Sequence, residues 1–183
     1  HTLCAMALLI GMMVLLKKTL SIETPYMKIN FASLPILLGA MMFGPVEGAV
    51  VAVIGELIIQ MTGQYGLVPT TFIWILPPAI RALVVGSAAV WARNTGIPLE
   101  RRPVACYAAC VIGAVPTTTE NTFGMWLDSL FYHTSFTPVL FITPARYVTG
   151  AVTAVAVATV CIPVMQGLRR SGVLRYVDGG KGL

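Results

Sequence analysis

The chain has 183 residues, of which 57% are hydrophobic and only 10% are charged, and its formal net charge is +5. Soluble domains carry roughly 25% charged residues, so this composition excludes an ordinary soluble protein and predicts a polytopic membrane protein. Since each membrane span takes about 20 residues, the length suits one domain of five or six helices.

Six helices are predicted in chain order, with expected bounds 2–16, 26–43, 46–62, 69–91, 103–131 and 141–165. Helices two and three follow each other without a loop, because Gly44 permits unusual φ values and Pro45 fixes φ. Residues 63–69, 93–102 and 133–137 form the other polar connections. The predicted fold class is therefore all-α, a bundle of six transmembrane helices.

The basic residues indicate how this bundle is oriented. Six spans put both termini on one side, together with seven Lys and Arg residues: Arg93, Arg101, Arg102, Arg169, Arg170, Arg175 and Lys181. The opposite side has three, Lys17, Lys18 and Lys28, and two more, Arg81 and Arg146, lie within spans. The positive-inside rule therefore predicts that both termini are cytoplasmic.

The expected domain covers residues 1–183, with 169–183 as a polar cytoplasmic tail. Because His1 already lies inside an apolar run, we expect a clipped N-terminus rather than a signal peptide. The four cysteines also lie in apolar runs, and no histidine is near Cys106 and Cys110, so buried, inert thiols are expected. No metal, no cofactor and no nucleic-acid partner are predicted.

Polar side chains inside the predicted spans lie on four stripes. On helix three Glu56, Gln60 and Gln64 recur every four residues, and Tyr65 follows in the loop. The other stripes are Trp74 and Arg81 on helix four; Thr117, Asn121, Gly124 and Asp128, with Glu120 beside them, on helix five; and Thr143, Arg146, Gly150 and Thr153 on helix six. Charges at membrane depth are expensive and mark pathways or pockets. Because most of these residues fall in the outer half of their helices, a pocket open to the outside is predicted.

Ten residues are predicted to bind a substrate in this pocket: Glu56, Gln60, Gln64, Tyr65, Trp74, Arg81, Glu120, Asn121, Asp128 and Arg146. Two arginines and an aromatic wall suit an anionic heteroaromatic molecule, since guanidinium groups match carboxylates and ring faces stack. The structural alternative is that Glu56–Arg81 and Glu120–Arg146 are ion pairs that hold the bundle together. In that case Trp74 would belong to an interfacial aromatic belt.

The second and third helices carry a recognisable ordered set: Leu34-Pro35, then Phe43-Gly44-Pro45, then Gly48, Gly55 and Glu56. This arrangement resembles the substrate-binding S component of energy-coupling factor (ECF) vitamin transporters, and the resemblance covers nearly the whole chain. It implies six helices, cytoplasmic termini and a ligand pocket in the external half. It also implies that small residues one turn apart on helix one, here Ala7 and Gly11, dock a coupling subunit through close backbone contact.

Within that family the chain is most similar to the folate group, through the start of helix six at Thr143-Pro144-Ala145-Arg146-Tyr147. The run from Gln64 through Thr71 to Trp74 differs from the glycine-rich loop of that group. Riboflavin, pantothenate and deazaguanine-type ligands therefore stay open beside a folate-like one.

The sequence has no G-x-x-x-x-G-K-[ST] motif with which to hydrolyse ATP. Active import would then depend on partners, which the resemblance implies to be a membrane coupling subunit and two cytoplasmic ATPases. Two rival functions are a self-sufficient secondary transporter and an intramembrane enzyme that uses Glu120 or Asp128 as a base. The first normally shows internal repeats with matching broken helices, and the second lacks a nucleophile or metal set.

Overall fold

The computed structural model describes residues 2–23, 28–63 and 66–172. Over these residues the chain forms six α-helices and one short hairpin. The helices are α1 (Thr2–Thr19), α2 (Ser33–Phe43), α3 (Pro45–Met61), α4 (Thr71–Asn94), α5 (Pro103–Phe131) and α6 (Thr137–Arg170), and the strands are β1 (Ser21–Glu23) and β2 (Lys28–Asn30). The predicted all-α bundle is confirmed, with the hairpin as an addition to it.

The hairpin corrects the predicted start of the second helix. Residues 28–30 pair antiparallel with β1, so that Ile22 lies opposite Ile29, and α2 begins only at Ser33. Pro35 lies in the first turn of α2, and its ring would clash with the carbonyl of Phe31 if the helix began earlier. The apolar composition of this segment concealed that boundary.

The reversal between α2 and α3 takes a single residue, Gly44, with φ of 118°, and Pro45 begins α3 directly. Two glycines then allow backbones to touch. A Cβ on Gly48 would lie 2.6 Å from Ala40 Cα, and one on Gly86 would lie 2.5 Å from Pro45 Cα. The three helices α2, α3 and α4 therefore form a tightly packed unit.

The bundle has the surface of a membrane protein. Among the described helices α1, α4 and α6 are long and apolar enough to cross a bilayer. Apolar side chains on α1 face outward, with Leu3 80% and Leu8 75% exposed, and Met13 is the one buried residue of that helix. The short helix α2, in contrast, has nine buried residues out of 11 and lies in the middle of the bundle.

Three of the four free cysteines, Cys106, Cys110 and Cys161, are buried in the core, but Cys4 is exposed on α1, contrary to expectation. Nearby, the loop between α4 and α5 is tied to the end of α6, since Arg169 Nε lies 2.5 Å from Glu100 Oε1. Gln166 donates to the Glu100 carbonyl at 3.0 Å. These contacts close the end of the bundle at which α2, α4 and α6 finish.

Candidate ligand-binding cavity

A cavity of about 600 Å³ lies at the opposite end of the bundle, where α1, α3 and α5 finish and α2, α4 and α6 begin. Residues from all six helices line it, and most of the lining residues are polar or charged. Its lining is Lys17, Ala32, Ser33, Ile36, Glu56, Gln60, Gly66, Val68, Thr70, Trp74, Pro77, Pro78, Arg81, Thr117, Thr118, Asn121, Met125, Asp128, Tyr132, Arg146, Thr149, Gly150 and Thr153. The volume falls within the range typical of small-molecule pockets.

The structure brings together seven of the ten predicted substrate-binding residues: Glu56, Gln60, Trp74, Arg81, Asn121, Asp128 and Arg146. Glu120 is partly buried but lies outside the lining, because successive residues of a helix point about 100° apart and Asn121 faces the cavity instead. Gln64 and Tyr65 lie outside the described residues. The helical spacing thus indicated the correct faces of α3, α4 and α5.

Trp74 and Asp128 lie in the part of the cavity between the start of α4 and the end of α5. The indole Nε1 of Trp74 donates to Asp128 Oδ2 at 3.1 Å, which ties the start of α4 to the end of α5. Gly124 lies beside the indole, because a Cβ built on it would be 3.6 Å from a Trp74 ring carbon, an ordinary van der Waals contact. The second carboxylate oxygen, Oδ1, is buried and has no partner among the described residues.

Arg81 lies two turns deeper on α4. Its Nε is buried and has no hydrogen-bond partner in the described part of the chain. The helix contacts give its depth: the Thr117 hydroxyl oxygen lies 3.4 Å from the Pro77 carbonyl oxygen, and a Cβ on Gly113 would lie 3.6 Å from Val84 Cγ1. Arg81 falls between these levels and forms the floor of the cavity, together with Thr117.

Arg146 on α6 lies between these two parts of the cavity. Its guanidinium contacts the thioether sulfur of Met125, and a thioether is a weak acceptor. The predicted structural pair between Glu120 and Arg146 does not appear among the ion pairs of the described residues. Within the part of the chain that the structure describes, Arg146 therefore lines the cavity without an ion pair to a protein carboxylate.

Glu56, in contrast, is fully engaged. Lys17 Nζ donates to its two oxygens at 2.6 and 2.9 Å, and Gln60 Nε2 donates to Oε1 at 3.1 Å. The alternative pairing of Glu56 with Arg81 is therefore wrong, and so is the placement of Lys17 in a loop, since α1 continues to Thr19. A buried carboxylate demands a counter-ion, and that demand is the signal that could have identified Lys17.

Three threonines of the lining use their hydroxyl protons within their own helices. Thr117 donates to Gly113 O at 2.6 Å, Thr118 to Ala114 O at 2.9 Å, and Thr153 to Thr149 O at 2.8 Å. A hydroxyl has one donor and two acceptor lone pairs. These residues, of which the sequence indicated only Thr117 and Thr153, therefore offer acceptors to the cavity.

The two predicted docking residues lie far from the cavity mouth, on the outer surface of α1. Ala7 and Gly11 are both exposed, and a Cβ built on Gly11 meets no atom within 4 Å. In the residues that the structure describes, no group of three or more His, Cys, Asp or Glu could hold a metal ion.

Comparison with known proteins matches this architecture to one family. The sequence matches the family model described as ECF transporter, substrate-specific component, over residues 1–165. A search of curated proteins returned no match.

Three solved structures share the fold. FolT bound with folic acid is 16% identical, with a TM-score of 0.62, over 87% of this chain and 95% of that one. The S component of a bacterial ECF transporter is 16% identical, with a TM-score of 0.68, over 92% and 95%. The S component for biotin from an ECF-type ABC transporter is 10% identical, with a TM-score of 0.66, over 90% of both chains.

Proposed function

Because this chain belongs to the family of ECF transporter substrate-specific components, we propose that it binds a vitamin or a related small molecule in the cavity between its helices. The family is a transporter component family rather than an enzyme family. Members of this family work with a membrane-embedded coupling subunit and ATPases. This chain would accordingly deliver its ligand through a coupling subunit powered by two separate ATPases, in the plasma membrane.

One observation carries this proposal: among the described residues, no ion pair joins Arg81 or Arg146 of the cavity lining to a protein carboxylate. Among the described residues, Arg81 Nε has no hydrogen-bond partner, and the Arg146 guanidinium contacts only the thioether sulfur of Met125. A buried charge without compensation is costly, so an anionic ligand would relieve both. Trp74 adds an aromatic wall. A folate-like anionic heteroaromatic is the ligand that we favour.

The orientation belongs to the same proposal. The excess of Lys and Arg in the loops on one side supports cytoplasmic termini. The cavity end, where α1, α3 and α5 finish, would then face the outside and receive ligand there.

The first experiment is identification of the bound molecule. The protein is extracted in detergent, purified without added ligand, denatured, and the released small molecules are identified by mass spectrometry. We expect a vitamin or a vitamin-like heterocycle in an amount close to one per protein. A metal ion or a lipid as the only specific companion would contradict the proposal.

The second experiment separates this function from that of a self-sufficient transporter. Cells without any ECF coupling module express the protein and are offered candidate labelled vitamins. We expect binding at the cell surface but no accumulation, because the chain has no nucleotide-hydrolysing motif. Accumulation against a gradient would favour secondary transport.

A further inference from the structure

The buried side-chain polar atoms that lack a hydrogen-bond partner among the described residues belong to residues that line the cavity. In the described part of the chain, four buried side-chain polar atoms have no hydrogen-bond partner: Ser33 Oγ, Thr70 Oγ1, Arg81 Nε and Asp128 Oδ1. All four residues line the cavity. Because native proteins leave few buried polar groups unpaired, these atoms are the ones that a ligand is expected to satisfy.

Two of these atoms can each take only one role in a hydrogen bond. An ionised carboxylate oxygen such as Asp128 Oδ1 can only accept a hydrogen bond, and a guanidinium nitrogen such as Arg81 Nε can only donate one. Trp74, which bonds Asp128, lies seven residues before Arg81 on α4. At about 1.5 Å per residue the two positions are separated by about 10 Å along the helix. The ligand must therefore present a donor at the mouth and an acceptor at the floor.

The charges of the lining define the net charge of that ligand. Lys17 and Glu56 neutralise each other in a direct ion pair. Among the described lining residues this leaves two guanidinium groups, Arg81 and Arg146, and one carboxylate, Asp128. A ligand with a single net negative charge would balance these described charges.

On the premise of the proposed function, we infer that the ligand is an elongated monoanion with two unlike ends. Its outer end is a nitrogen heterocycle whose N–H or amino group bonds Asp128 Oδ1 beside the Trp74 indole. Its inner end is a carboxylate or a similar anionic group that reaches Arg81, and Arg146 lines the cavity between the two ends. Permanent cations are disfavoured, because they would face two guanidinium groups.

A panel of vitamins tests the class of ligand. Purified protein is titrated with pterin-6-carboxylate and biotin, which combine N–H groups with one carboxylate, and with lipoate, riboflavin and thiamin, which do not. We expect the tightest binding within the first pair. If thiamin, lipoate or riboflavin binds most tightly, the chain still binds a vitamin but the inferred ligand is wrong. If no compound of the panel binds, the inferred ligand is likewise wrong, and identification of the co-purified molecule decides the proposed function separately.

Matched ligands test the role of Asp128. Quinoxaline-2-carboxylate keeps the two fused rings and the carboxylate of pterin-6-carboxylate but has no N–H or amino group. Because a hydrogen bond to a charged group would be lost, the wild type should favour the pterin by at least about tenfold. In Asp128→Asn, whose amide oxygen can keep the Trp74 hydrogen bond, this preference should shrink to within about threefold. The control Glu120→Gln makes the same change on α5 outside the lining and should keep the full preference.

Arg81→Gln provides a second, independent variant. It should reduce the preference for pterin-6-carboxylate over 6-methylpterin, which lacks the carboxylate, and leave the preference over quinoxaline-2-carboxylate unchanged. Size-exclusion chromatography confirms that each variant is folded. If Asp128→Asn or Arg81→Gln weakens all probes equally, the residue only supports the cavity wall and the two-ended ligand is contradicted.

Discussion

Arg146 and Glu120 are both charged residues within predicted spans, but only Arg146 lines the cavity. Both lie on helices that form the cavity. Helical periodicity placed Arg146 correctly, because α6 presents Arg146, Gly150 and Thr153 on one face. It could not exclude Glu120, which lies one residue from the cavity-facing Asn121.

Arg146→Ala should weaken ligand binding by roughly thirty-fold or more, because removing one partner of a buried charge pair costs about 2–5 kcal/mol. Arg146→Lys should recover only part of this loss, since lysine lacks the planar fork. Isothermal titration with the co-purified ligand measures both. Adding Glu120→Gln to Arg146→Ala should leave affinity low; recovery of folding and affinity in that double variant would show that Arg146 is structural.

Lys17 belongs to a different class, since its partner Glu56 is a protein carboxylate. Lys17→Met should destabilise the protein by about 3–5 kcal/mol, because it leaves Glu56 buried without a counter-ion. The double variant Lys17→Met with Glu56→Gln should recover most of that loss. Lys18→Met is the matched control, since Lys18 is exposed. Thermal unfolding in detergent measures the series, and equal stability of Lys17→Met and Lys18→Met would contradict the assignment.

At the scale of elements, the order and number of helices followed from the sequence because apolar runs and the Gly44-Pro45 reversal are local signals. The bounds of α5 were predicted to the residue. The hairpin was not, because strand pairing between residues 21–23 and 28–30 depends on partners across a turn. Likewise the Lys17–Glu56 pair joins residues 39 positions apart, and no local pattern indicates it.

Glycines at helix contacts provide a prediction about packing. Gly48→Ala should destabilise the protein by about 1–3 kcal/mol, because the new Cβ would lie 2.6 Å from Ala40 Cα and the helices must separate. Gly11→Ala is the control, since nothing lies within 4 Å of its Cβ position. Thermal unfolding compares the two. If both variants were equally stable, α2 and α3 would not pack as closely as described.

The outer face of α1 carries a prediction about coupling. Replacing Ala7 or Gly11 with leucine should abolish transport in the presence of a coupling module and leave ligand affinity near that of wild type. Small residues allow a partner backbone to approach, and both positions are exposed. Ala156→Leu, at an exposed small residue of α6, should leave transport unchanged. A parallel fall in affinity and transport would show that the α1 face serves internal packing.

At the scale of the whole molecule, one end of the bundle is closed by the Arg169–Glu100 contact and the other contains the cavity. The family and the six-helix fold were predicted from the sequence, because the Leu34-Pro35, Phe43-Gly44-Pro45 and glycine–glutamate signals lie in order along the chain. The identity of the ligand was not, since it depends on which polar atoms of six separate helices are left unpaired.

We propose that this chain binds its ligand alone but imports it only together with a coupling subunit and ATPases. It is tested by uptake of labelled candidate vitamins, folic acid and biotin among them, into cells that express the chain with or without a complete ECF coupling module. We predict accumulation of one vitamin above background only when the module is present, and its loss in Arg146→Ala. Concentrative uptake by the chain alone would contradict the proposed dependence of import on a coupling module.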